Sequence, residues 1–164
     1  MGNRRLPPFG GIETMLRQTN ATILLLEDDE AEVLLVQQGL ASCQGDLHLA
    51  VVHDTVEARE WLDDTAERGY PIPRLILLDL KLPKLAGLGI LRTLRMDTRL
   101  QDVPIVVFSE SHEPSDVVLS YQIGANSFVS KPATLAEFIQ LMREMSERGW
   151  LSARTAHEPC AQSL

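Results

Sequence analysis

Residues 75–83 read LILLDLKLP. Four apolar residues in succession, closed by an aspartate, do not suit a strand with one face in water; they suit a strand covered on both faces, as in a parallel sheet flanked by helices. Four further runs share that character: TILLL (22–26), LHLAVV (47–52), PIVVF (104–108) and SFV (127–129). Helical patterns follow them at about 30–42, 54–68, 85–99, 114–123 and 134–148. The last opens on Thr134-x-x-Glu137, a capping box, and continues in a core-facing stripe of Phe138, Met142 and Met145. Five βα units predict an α/β fold with a doubly wound parallel five-stranded sheet in the flavodoxin-like order 2-1-3-4-5. In that order a ligand sits beyond the carboxyl ends of the strands, where strands 1 and 3 are neighbours.

The rest of the chain narrows the class. Its 164 residues are 45% hydrophobic and 23% charged, and no apolar run reaches the length of a membrane span. Residues 1–20 carry three arginines and one glutamate, with Pro7-Pro8 and Gly10-Gly11 interrupting any long element, and read as a flexible arm. Residues 152–164 lack periodicity and read as a tail. Residues 21–151 therefore carry a net charge of −10, against −8 for the whole chain. Such a body has no footprint for a phosphate backbone, so direct DNA binding is not expected. Cys43 and Cys160 have no metal or redox spacing, and no apolar leader opens the chain; the expectation is a cytoplasmic protein with reduced thiols.

The strand ends carry the chemistry. Strand 1 runs into Glu27-Asp28-Asp29-Glu30 and strand 3 ends at Asp79. Carboxylates converging at the switch point repel unless a cation lies among them, and a hard divalent ion, most naturally Mg²⁺, suits oxygen donors. Asp29 and Glu30 read more simply as a helix start matched to its dipole. Asp79, between leucines, would be costly to bury without a purpose. Strand 4 ends at Ser109, and Lys131-Pro132 follows strand 5. Either residue alone is a weak signal, but together they add a hydroxyl and an ammonium to the same sheet edge. That set is what phosphoryl transfer onto an aspartate needs: Asp79 as nucleophile, a cation and Lys131 to neutralise charge, and Ser109 to donate to a phosphoryl oxygen.

With these residues the sequence resembles the receiver domains of two-component response regulators, the chemotaxis-type (CheY-like) fold, over nearly all of 21–151. The acidic pair falls on Glu27 and Asp28, the phosphoacceptor on Asp79, the hydroxyl on Ser109, the aromatic switch position on Phe128 and the Lys-Pro pair on Lys131-Pro132. Pro83 and Gly87 also stand at the family's places after the acceptor. The resemblance implies that Glu27, Asp28, Asp79 and the backbone carbonyl of Lys81 hold Mg²⁺. It further implies that Ser109 and Phe128 form the switch, and that the junction before Pro132 is a cis peptide. The segment DDTAERGYPIPRLILLDLKLP, the PIVVFSES run and the closing Trp150-Leu151-Ser152 resemble stand-alone regulators associated with bacterial phytochromes. That likeness implies a sensor histidine kinase partner of the phytochrome type.

Two departures from the family matter. Phe128 lacks the hydroxyl of a tyrosine, so its switch works by packing, and Leu80 replaces a tryptophan often found beside the acceptor. Other classes fit less well. A dehalogenase-type hydrolase would place a second aspartate where Lys81 stands, and a flavin carrier would not put Glu27-Asp28-Asp29 around a phosphate. A phosphorelay intermediate is the alternative reading. His48, His53, His112 and His157 show no shared metal spacing. The fourth and fifth helices hold more apolar residues than one core stripe needs: Val117, Val118, Leu119, Tyr121 and Ile123, then Leu135, Phe138, Ile139, Leu141, Met142 and Met145. This surplus predicts a homodimer through the fourth helix, fifth strand and fifth helix, the α4-β5-α5 face.

Overall fold

A computed structural model describes residues 21–42, 47–81, 87–110 and 113–151. The arm at 1–20 and the tail at 152–164 lie outside the described residues, as do Cys43, Pro83, His112, His157 and Cys160. Five strands alternate with five helices: β1 (Ala21–Leu26), α1 (Glu30–Ala41), β2 (Leu47–Val52), α2 (Thr55–Glu67), β3 (Leu75–Asp79), α3 (Gly87–Met96), β4 (Ile105–Ser109), α4 (Pro114–Ile123), β5 (Ser127–Ser130) and α5 (Leu135–Glu147). The sheet is parallel throughout, in the order β2-β1-β3-β4-β5. Among the described residues no helix is long and apolar enough to cross a membrane.

The continuous apolar runs fill both faces. Leu24, Leu26, Ile76, Leu78, Ile105 and Val107 point to one side, where α2 and α3 supply Leu62, Ile90, Leu91 and Leu94, and Ile123 of α4 packs at the margin. Ile23, Leu25, Leu75, Leu77, Val106 and Phe108 point to the other, against Val36 and Leu40 of α1 and Phe138, Met142 and Met145 of α5. Strand alternation thus divides each run between two helical layers. The α1–α5 seam is closed at Gly39, where an added Cβ would stand 1.8 Å from Cδ1 of the fully buried Phe138 ring.

Local chemistry sets the helix limits. Asp29, Asp54 and Thr134 cap α1, α2 and α5, each accepting from a backbone N–H one turn in. Glu137 completes the last cap by accepting from Ala133 N rather than from the N-cap amide. The third helix, expected to reach 99, stops at Met96, because Asp97 accepts from Arg99 N and starts a short 3₁₀ turn at Thr98–Leu100. Arg95 pins the returning chain by donating to the carbonyls of Gly124, Leu100 and Val103 and to Asn126 Oδ1.

One expectation is corrected. Every described peptide is trans, including that before Pro132; trans is the lower-energy isomer of an X–Pro bond, and in it Lys131 N already donates to Ser109 O at 3.1 Å. Phe138, Met142 and Met145 are core, as the stripe on the last helix predicts, whereas Val118, Leu119, Tyr121 and Leu135 are exposed. Phe138 fills the notch at Gly39 and is unavailable to a partner.

Candidate functional site

Register brings the polar strand ends together. Leu26 pairs with Leu78, so Glu27 and Asp79 each lie one residue beyond that pair on adjacent strands. Asp79 pairs with Phe108, and Ser109 with Ser130, which places Ser109 and Lys131 next in line along the same edge. Glu27 and Asp79 are both 2% exposed, and Ser109 is equally buried.

Backbone and ammonium groups fix these carboxylates. Glu27 Oε1 accepts from the backbone N–H groups of Asp28 (3.2 Å) and Asp29 (3.1 Å). Asp79 Oδ1 accepts from Lys81 N at 3.0 Å, on the turn after β3. The Lys131 ammonium donates to Asp79 Oδ2 at 2.9 Å and lies 3.4 Å from Glu27 Oε2. A further carboxylate, Glu32 of α1, closes on the same ammonium. Oxygens of Glu27, Glu32 and Asp79 all lie within 4.8 Å of one another. The expected acceptor, hydroxyl and lysine therefore meet at one edge.

Asp28 is exposed and lies outside that group, whereas Glu32, which the sequence reading did not single out, lies within it. A glutamate in the first turn of a helix looks like an ordinary partner for the helix dipole, so nothing local marks Glu32. The N-cap amide of Asp29 is taken by Glu27, which removes the usual partner of a glutamate at this helical position. Asp29 itself caps α1, as its dipole reading expects.

One ammonium faces three carboxylates in a buried site. Burial, the hydrogen bond with Glu32 and the charge of Asp79 push Glu27 up to about 8, against the pull of the Asp29 amide and Lys131. Burial opposes the charge on Lys131, yet hydrogen bonds to Glu32 and Asp79 and the fields of Asp79 and Glu27 hold its pKa above the ordinary lysine value. Hard oxygen donors, closely spaced and short of positive charge, fit a hard divalent cation. At the rim, Lys81 Nζ pairs with Glu110 Oε2 at 2.6 Å, both exposed, and this holds the Glu110 carboxyl below its usual range. Phe128 on β5 packs, partly buried, against the core under α2 and α3, and its N–H donates to Tyr121 Oη of α4 at 3.2 Å.

Residues 23–143 match the response regulator receiver domain family. The chain belongs to that family. This receiver is 34% identical over 134 residues to response regulator Rcp1 of Synechocystis sp., a match covering 81% of this chain and 90% of the relative. The crystal structure of the Mn²⁺-bound form of Rcp1 superposes with a TM-score of 0.67, at 34% identity, covering 82% of this receiver and 97% of that chain. The phosphorylated cyanobacterial phytochrome response regulator RcpA superposes with a TM-score of 0.70, at 34% identity, covering 85% and 99%. The receiver is thus homologous to phytochrome-associated regulators.

Proposed function

We propose that this receiver takes a phosphoryl group onto Asp79 from the phosphohistidine of a sensor histidine kinase and acts as a phosphorylation-controlled switch. The observation that carries the reading is the Lys131 ammonium seated on Asp79 Oδ2 at 2.9 Å, beside Glu27 in a buried oxygen cluster. The Asp79 carboxylate, ionised without a general base, attacks phosphorus; the new P–O bond gives an acyl phosphate while the P–N bond breaks and the imidazole leaves as the neutral ring after taking a proton. Lys81 N and Lys131 hold the carboxylate in place. Ser109, one residue beyond the Asp79–Phe108 pair, would donate to a phosphoryl oxygen. Mg²⁺, held by Glu27, Asp79 and the Lys81 carbonyl, with Asp28 next to Glu27, would neutralise charge on the phosphoryl oxygens.

The reaction is one self-catalysed transfer followed by hydrolysis, the chemistry of a signalling protein and not of a turnover enzyme. Similarity to RcpA supports a phytochrome-type kinase as donor. Ser109 and Phe128 would report phosphorylation to α4, since Phe128 is tied to Tyr121. The exposed Val118, Leu119 and Tyr121 of α4 and Leu135 of α5 support a homodimer through the α4-β5-α5 face. The test is intact-mass analysis after incubation with acetyl phosphate. One phosphoryl group should be gained only with Mg²⁺ and lost in Asp79→Asn; equal uptake by Asp79→Asn overturns the assignment.

A further inference from the structure

Lys131 is already held before any phosphoryl group arrives. Its ammonium donates to Asp79 Oδ2, closes on Glu32 and lies 3.4 Å from Glu27 Oε2. To turn fully onto a phosphoryl oxygen it must give up part of this set. Asp79 would carry the group. Glu27 is buried, and its other oxygen is fixed by two backbone amides. Glu32 differs: its side chain is 28% exposed, against 2% for Glu27 and 3% for Asp79, and it sits on the first turn of α1 with water within reach. It faces Lys131 because Glu27 occupies the Asp29 amide that a glutamate at this place would otherwise accept from.

We propose that Glu32 is a positioning residue that holds Lys131 in the unphosphorylated receiver and must release it when Asp79 is phosphorylated, so that it sets how far the switch runs toward the phosphorylated form. A ligand shifts a two-state protein only through contacts that differ between the states, and the Glu32–Lys131 pair is such a contact with the opposite sign to the phosphoryl–Lys131 pair. The inference rests on the reading of Asp79 as phosphoacceptor.

The experiment is a double-mutant cycle on the full chain with Glu32→Gln, Lys131→Met and the double variant. Each is incubated with acetyl phosphate at saturating Mg²⁺, and the steady-state ratio of phosphorylated to unphosphorylated protein is read by intact mass. Glu32→Gln is nearly isosteric at a partly exposed position, and an unchanged thermal midpoint verifies its fold. The ratio should rise roughly three- to fivefold in Glu32→Gln, the scale of a partly exposed ion pair, and the rise should vanish in the Lys131→Met background. A rise of equal size in both backgrounds would mean that Glu32 acts on the donor or the cation and not through Lys131, and overturns the inference. No rise in Glu32→Gln, with the parent phosphorylated, overturns it as well and leaves the Asp79 reading standing. A parent that takes up no phosphoryl group overturns both.

Discussion

Binding of Mg²⁺ should expel a proton from Glu27. With its pKa pushed up to about 8 by burial, by the hydrogen bond with Glu32 and by the charge of Asp79, Glu27 in the cation-free receiver should be largely protonated at pH 7 and largely ionised at pH 9. A cation that needs the ionised carboxylate should therefore release close to one proton at pH 7 and little at pH 9, and its affinity should rise with pH and level off above about pH 8. Titration calorimetry in two buffers of different ionisation enthalpy measures the release directly. The same shift bears on stability. Because the folded value lies above the ordinary 4.5, the Glu27 contribution is fully present below pH 4.5 and is lost as pH rises through about 8, a span of about 3–5 kcal/mol. The cation-free thermal midpoint should fall across that window, and Mg²⁺ should restore it most at its upper end. Cation binding at pH 7 with no proton release would refute the reasoning.

Other consequences are separable. Gly39→Ala forces the buried Phe138 ring aside and should cost about 1–3 kcal/mol in urea unfolding; an unchanged midpoint would contradict the tight α1–α5 seam. Arg95→Ala removes four hydrogen bonds that join the end of α3 to the loops before β4 and β5, and should cost about 2–4 kcal/mol while leaving Mg²⁺ affinity unaltered. Leu119→Glu, on the exposed side of α4, should shift sedimentation from dimer to monomer at unchanged stability; a parent that is monomeric at high concentration in both phosphorylation states rules the dimer out.

Much of this was legible in the sequence because the strongest signals are strand-bound. The apolar runs of β1, β3 and β4 are buried on both faces, as continuous runs predict, while those of the edge strands β2 and β5 are only partly buried; with the order that five βα units favour, the residues closing the runs, Glu27, Asp79 and Ser109, with Lys131 next to its run, fall at one edge. What escaped depends on side-chain reach. Asp28 and Glu32 are both acids near the start of α1, and only three-dimensional placement shows that Glu32 turns inward while Asp28 faces water. On α5, helical periodicity turns Phe138 toward the core, but it does not show that the ring fills a notch left by the missing Cβ of Gly39 about a hundred residues away. The Arg99 side chain, paired with Asp97 and Asp63, likewise joins the 3₁₀ turn to α2 with no local pattern to announce it.

Asp79, and no other group, should carry the phosphoryl. Borohydride reduction of the phosphorylated receiver converts an aspartyl phosphate to homoserine, and tandem mass spectrometry of the digest locates the change. Homoserine should appear at position 79 in the LILLDLK segment, and only when Mg²⁺ was present during phosphorylation. Reduction at Glu27 or Glu32, or a phosphoryl group found on a histidine, would contradict it.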